Sequence, residues 1–158
     1  MILTAFHEIV PEIGLTEMRQ ITILHDTTGI PDDIYGLLEM YCTDPTCDCQ
    51  KVTLQIAAMN QGKIVATIDY GWESRAFYAK WLHTTEEDET IDMLISPSLS
   101  MFGINTSISA NILEMVSTTC FTPDYIERLK KHYTLVKNKT AKKQKQMPKP
   151  KKPRGRWF

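Results

Sequence analysis

The sequence has no apolar run approaching the about 20 residues of a helical membrane span. Its start, Met1-Ile2-Leu3-Thr4, carries neither the charged nor the apolar region of an export signal. Both absences lead to the expectation of a cytoplasmic protein without membrane contact. There is no Ser/His/Asp pattern, no glycine-rich phosphate loop and no helix with paired histidines, so nothing in the motifs points to an enzyme. Acidic residues are missing altogether beyond Glu127. Residues 137–158 hold ten basic side chains and no acidic ones, whereas residues 1–136 hold eight basic and 19 acidic, a balance of −11. The net charge of −1 is therefore a cancellation between two opposed segments, which are read separately.

Cysteine is scarce too, at four residues, but three of them, Cys42, Cys47 and Cys49, fall within eight positions. In a reducing compartment such a cluster reads as a metal site before it reads as disulfides. A redox pair usually shows two-residue spacing at a helix N-terminus, and packing cysteines usually sit on an apolar stripe. Here Cys47 and Cys49 flank Asp48 in a polar turn opened by Asp44-Pro45.

At 158 residues the chain suits one domain. Strands are expected at Glu17–His25, Ile34–Cys42, Lys51–Met59 and Lys63–Tyr70, joined by the turn clusters Asp26–Gly29 and Asn60–Gly62, with a weaker edge strand in Ile2–Val10. Beyond Gly71 the period changes. Phe77, Tyr78, Trp81 and Leu82 predict a helix over Ser74–His83, and Thr84–Asp92 reads as an acidic loop. Asn105 or Thr106 suits the cap of a helix carrying Ile108, Ile112, Met115 and Val116. Thr122, Pro123 and Asp124 open a last helix whose buried stripe is Ile126, Leu129, Tyr133 and Val136. The fold class is α+β: an antiparallel meander of four to five strands with about three helices over residues 1–136, and a disordered basic tail over 137–158.

If the second and third main strands form a hairpin, Cys42 and Cys49 meet at its tip and Asp44-Pro45 folds Cys47 back toward them. Thiolates favour zinc over magnesium or calcium, and an iron–sulfur cluster ordinarily asks for four cysteines. Tetrahedral zinc needs a fourth ligand. His25 lies at the wrong end of a hairpin, His83 ends a helix running away from the knuckle, and His7 is unplaced. Cys120 would complete four thiolates, and His132 lies on the inward side of the last helix. Three thiolates weaken the power of zinc to acidify water, so a structural metal is expected rather than a hydrolytic one.

The segment Tyr41-Cys42-Thr43-Asp44-Pro45-Thr46-Cys47-Asp48-Cys49 resembles that of a family of uncharacterised bacterial proteins with the pattern Tyr-Cys-x-x-Pro-x-Cys-Asp-Cys. The resemblance extends to Gly71-Trp72-Glu73-Ser74, to Phe77-Tyr78 and Trp81, and to Tyr125-Ile126 and Arg128–Tyr133, covering most of residues 31–136. It departs at Gln50, where arginine is usual, and over Ile95–Gly103. It implies a zinc-containing domain, and its histidine-tyrosine pair implies His132 as the fourth ligand.

In the tail, Lys151, Lys152, Arg154 and Arg156 are the expected contacts to nucleic acid or the ribosome, since a cationic arm binds phosphates by counterion release. Pro153-Arg154-Gly155-Arg156 resembles an AT-hook core, with Trp157 in place of the usual following proline. The expected function is thus a zinc-binding interaction domain with a nucleic-acid-binding arm. The rivals are a protein-binding adaptor with an inert tail, and a metal-dependent hydrolase.

Overall fold

The computed structural model describes residues 2–25 and 28–148. Lys151, Lys152, Arg154 and Arg156 lie outside the described residues, as do Asp26 and Thr27 of the first expected turn.

The strands form one antiparallel sheet. Strand β3 (Asp33–Cys42) pairs along one edge with β4 (Lys51–Ala58), which pairs with β5 (Lys63–Gly71), which ends against the short β6 (Ser98–Leu99). On its other edge β3 is met end to end by β1 (Leu3–Ala5) at Met40–Cys42 and by β2 (Arg19–Ile23) at Asp33–Leu37. The period-2 alternation sets the two faces. Tyr35, Leu37, Glu39 and Tyr41 of β3 share a face with Val52, Leu54 and Ile56 of β4 and with Ala66 and Ile68 of β5, all buried. This face receives Ile112 and Val116 of α5 (Ser109–Thr119) and Leu129, Tyr133 and Val136 of α6 (Pro123–Gln146), completing the core. The opposite face of β4 and β5 carries Lys51, Thr53, Gln55, Thr67 and Asp69.

The α+β meander is as expected, but the described residues contain more elements than the pattern implied: six strands and six α-helices. Only Leu3–Ala5 of the N-terminal segment is strand, and α1 (Phe6–Ile9) and α2 (Pro11–Gly14) follow it. The acidic segment after α3 (Arg75–Leu82) ends in a 3-10 turn, Glu89–Ile91, running into α4 (Asp92–Ile95). Arg75 holds it by pairing with Asp92 and donating to the carbonyls of Glu86 and Asp88. Asn105 and Thr106 do not cap α5. They turn instead to strand β5, where Asn105 Oδ1 accepts from Thr67 N–H (3.0 Å) and Thr106 Oγ1 donates to the Val65 carbonyl (2.7 Å).

Helix α6 begins as expected, with Thr122 Oγ1 accepting from Tyr125 N–H and Pro123 in the first turn. It then runs past Val136 to Gln146, so the expected boundary at Lys137 falls inside a helix. Its last ten residues have little apolar stripe, but Lys, Ala and Gln are strong helix formers. Lys139 also ties this stretch to the body through the Ile9 carbonyl and Glu12. Among the described residues no helix is long and apolar enough to cross a membrane.

Candidate metal centre

The loop from Thr43 to Gln50 joins β3 to β4 and brings Cys42, Cys47 and Cys49 together, with all three sulfurs within 4.8 Å of one another. Local chemistry shapes it. Asp44 Oδ1 accepts from both the N–H (2.9 Å) and the hydroxyl (2.8 Å) of Thr46, and Cys47 N–H returns to the Asp44 carbonyl (3.2 Å). These bonds fold the chain back on itself as a short polar side chain does in a turn. A tetrahedral ion bonded to sulfur at about 2.3 Å sets sulfurs about 3.8 Å apart. The observed cluster is within about 1 Å of that spacing, so the three thiols can hold a metal ion.

Cys42 and Cys49 are buried and Cys47 is half-buried. Burial, reinforced by Cys49 and Cys42, pushes the Cys47 thiol up to about 12. Cys49 is raised for the same reasons, burial first and then Cys42. With Cys47 and Cys49 raised in this way, neither carries the ready thiolate on which a nucleophile or a redox pair depends. A bound cation reverses the balance by stabilising the deprotonated form.

His132 does not join the cysteines. Its Nδ1 lies 2.6 Å from Glu39 Oε2 and its Nε2 lies 2.6 Å from Glu17 Oε2, so both ring nitrogens are occupied by carboxylates. Phe6 stacks on the ring at 4.0 Å, and Tyr41 OH donates to Glu39 Oε2 (2.7 Å). Burial pulls the His132 pKa down, but Glu39 and then Glu17 outweigh it, and the net shift is upward. Glu17 is correspondingly held below its ordinary value, chiefly by the hydrogen bond to His132. His132 is thus the centre of a buried carboxylate–imidazole–carboxylate bridge. Cys120 is buried at the end of α5, and among the described residues no other His, Cys, Asp or Glu joins the three sulfurs.

Helix α6 nevertheless reaches the cysteine loop, through two residues that the sequence pattern did not single out as loop contacts. Lys137 Nζ donates to the carbonyls of Cys47 (2.8 Å) and Asp44 (3.1 Å). Tyr133 OH donates to Asp48 Oδ1 (3.3 Å) and accepts from Gln50 N–H (3.3 Å). The signal was present in their spacing, since residues four apart share a helix face.

Gln50 closes the loop at φ 47°, in the left-handed region where a side chain is strained. Its carbonyl accepts from Tyr78 OH (2.6 Å), its Oε1 accepts from Trp72 Nε1 (3.1 Å) and its Nε2 donates to Asp48 Oδ1 (2.6 Å). Trp72 also packs edge-on against Tyr133 at 5.4 Å. Trp72 and Tyr78 therefore buttress the cysteine loop besides packing in the core. Asp48, the carboxylate between two cysteines, spends Oδ1 on these structural bonds.

No family model, curated protein or solved structure matches the chain.

Proposed function

We propose that this chain is a non-enzymatic, zinc-binding interaction domain of a reducing, cytoplasmic setting. Its metal is structural, and its basic C-terminal arm contacts nucleic acid, free or in the ribosome. The observation that carries the metal half is the convergence of Cys42, Cys47 and Cys49 within 4.8 Å. Zinc is favoured because the donors are thiolates from one tight loop, and because three cysteines fall short of an iron–sulfur set. The structural role is favoured because Asp48, a candidate general base, has its Oδ1 engaged by Tyr133 and Gln50. Three thiolates also leave the ion a weak Lewis acid. The resemblance to a zinc-containing family points the same way.

The arm reading is supported by charge. Ten basic residues and no acidic ones follow Val136, while the rest of the chain, at −11, repels phosphate and confines contact to that end. Lys142, Lys143 and Lys145 lie exposed on the last turns of α6.

Elemental analysis should find one zinc per chain, and serine in place of Cys42, Cys47 or Cys49 should abolish it and lower the melting temperature. His132→Phe should leave the zinc in place. A metal-free preparation of unchanged thermal stability would sink the structural reading. For the arm, duplex affinity should fall steeply with salt, and removing residues 148–158 should flatten the log–log slope by about 0.9 per lost phosphate contact. An unaltered slope removes those residues from the reading.

A further inference from the structure

The face of the sheet turned away from α5 and α6 holds a groove with two lobes. One, of about 310 Å³, has a polar floor that includes Thr53, Gln55 and Thr67. The other, of about 340 Å³, is walled by Leu82, Met93, Leu94, Leu99 and Met101. Lys51, Asp69 and Phe102 line both, so the lobes meet over the Lys51–Asp69 pair. Together they fall in the size range of small-molecule sites.

The outer wall is built in place. Ser100 N–H donates to the Thr67 carbonyl (2.8 Å), Thr67 Oγ1 donates to the Ile104 carbonyl (2.9 Å), and Asn105 bridges Thr67 N–H to the Ser100 carbonyl. Gly103 lies so close to Thr67 that a Cβ there would come within 2.4 Å of the threonine side chain. This pinned loop presents Met101 and Phe102 to solvent, Phe102 at 97% exposure, beside the apolar lobe. A fixed backbone holding large apolar side chains in water is the arrangement expected of a binding wall.

Lys51 supplies the second, independent observation. Its side chain is only 12% exposed, yet among the described residues its ammonium makes no hydrogen bond and has a single ionic neighbour, Asp69 Oδ1, at 3.9 Å. That carboxylate oxygen is already engaged by the Thr53 hydroxyl at 2.6 Å. An ammonium has three protons to donate, and at 3.9 Å Asp69 takes none of them in a hydrogen bond, so an acceptor lying in the groove can receive them.

We propose that the groove binds an aliphatic carboxylate, its head on the Lys51 ammonium and its chain in the apolar lobe. The proposal stands apart from the metal reading. Lys51 lies two residues from Cys49, however, so a role in balancing thiolate charge must be separable in the test.

The test is calorimetric titration of the full, metal-loaded chain with octanoate, nonanoate and decanoate below their micellar concentrations, with decanol as the uncharged control. Affinity should rise about fourfold per methylene. Decanol and the Lys51→Met variant with decanoate should each bind about tenfold or more weakly, the range of a hydrogen bond to a charged group. The Phe102→Ser variant, altered only at an exposed side chain, should also weaken decanoate. Absence of decanoate binding, equal affinity for decanol, or unchanged affinity in Phe102→Ser overturns the proposal. If Lys51→Met also loses metal, Phe102→Ser and the decanol control decide alone.

Discussion

Gln50 is the residue on which the cysteine loop turns, and its backbone and its side chain pull on stability in opposite senses. A non-glycine residue at positive φ costs about 1–2 kcal/mol, and the structure sustains that cost through partners on four sides: Tyr133, Tyr78, Trp72 and Asp48. Two substitutions separate the contributions. Gln50→Ala removes both side-chain hydrogen bonds and keeps the strain, whereas Gln50→Gly removes the same bonds and relieves it. The alanine variant should therefore be the less stable of the two, by about 1 kcal/mol, measured by denaturant unfolding at fixed metal occupancy. If alanine were equal to or better than glycine, the positive φ at Gln50 would not be a feature of the folded protein. The same residue marks a limit of sequence reading. That a glutamine follows Cys49 is visible. That it draws in Trp72 and Tyr78 depends on the return of β5 alongside β4, where Lys51 pairs with Gly71.

Among the elements, α6 does the most joining, because it fastens to β3 and to the N-terminal segment through a single buried imidazole. His132 bridges Glu39 on β3 and Glu17 just before β2, with Phe6 of α1 stacked on its ring. The folded-state pKa of His132 is raised, so its contribution is complete below the unfolded value of about 6.5 and is lost as pH climbs through the folded value. Glu17 works in the other direction. Its lowered pKa gives a contribution present above about 4.5 and lost as pH falls. Thermal melts of wild type and Glu17→Gln across pH 5.5 to 8.5 test the bridge, since metal effects common to both cancel in the difference. The variant should lose most stability near pH 6 and little near pH 8.5, and a pH-independent difference would argue against a charged His132. The start of α6 was legible from Thr122, Pro123 and Asp124, and β4 and β5 from their alternation, because in both cases the signal is local. Neither Glu17, 115 residues away in sequence, nor Glu39 can be paired with His132 by local pattern, so nothing local opposes the metal-ligand role that the resemblance implies for His132. The end of α6 was missed for the opposite reason. Lysine-rich turns without an apolar stripe resemble disorder even where propensity and the Lys139 contacts hold them helical.

At the scale of the whole molecule, the proposed metal, the β3–β4 hairpin and α6 form one mechanical unit. Lys137 and Tyr133 grip the loop that carries the sulfurs, while His132, beside Tyr133, and Leu129, one turn earlier, secure the same helix to the sheet. Removal of a bound ion from Cys42, Cys47 and Cys49 should loosen their loop and with it the hold of Lys137 on the carbonyls of Asp44 and Cys47. The effect should travel along α6 and not across the sheet. The pairing of β4 with β5 rests on Val52, Leu54, Ile56 and Ile68, which need no metal to stay buried. Amide hydrogen exchange before and after chelation distinguishes these regions. Protection should fall over residues 43–50 and over α6 from about Tyr133 onward, while the β4–β5 ladder keeps its protection until global unfolding. Should chelation expose the loop and leave α6 as protected as before, Lys137 and Tyr133 would be bystanders, and the metal would shape only its own turn. Should β4 and β5 open together with the loop, the ion would hold the entire core, and the apo chain would be unfolded as a metal-nucleated domain is.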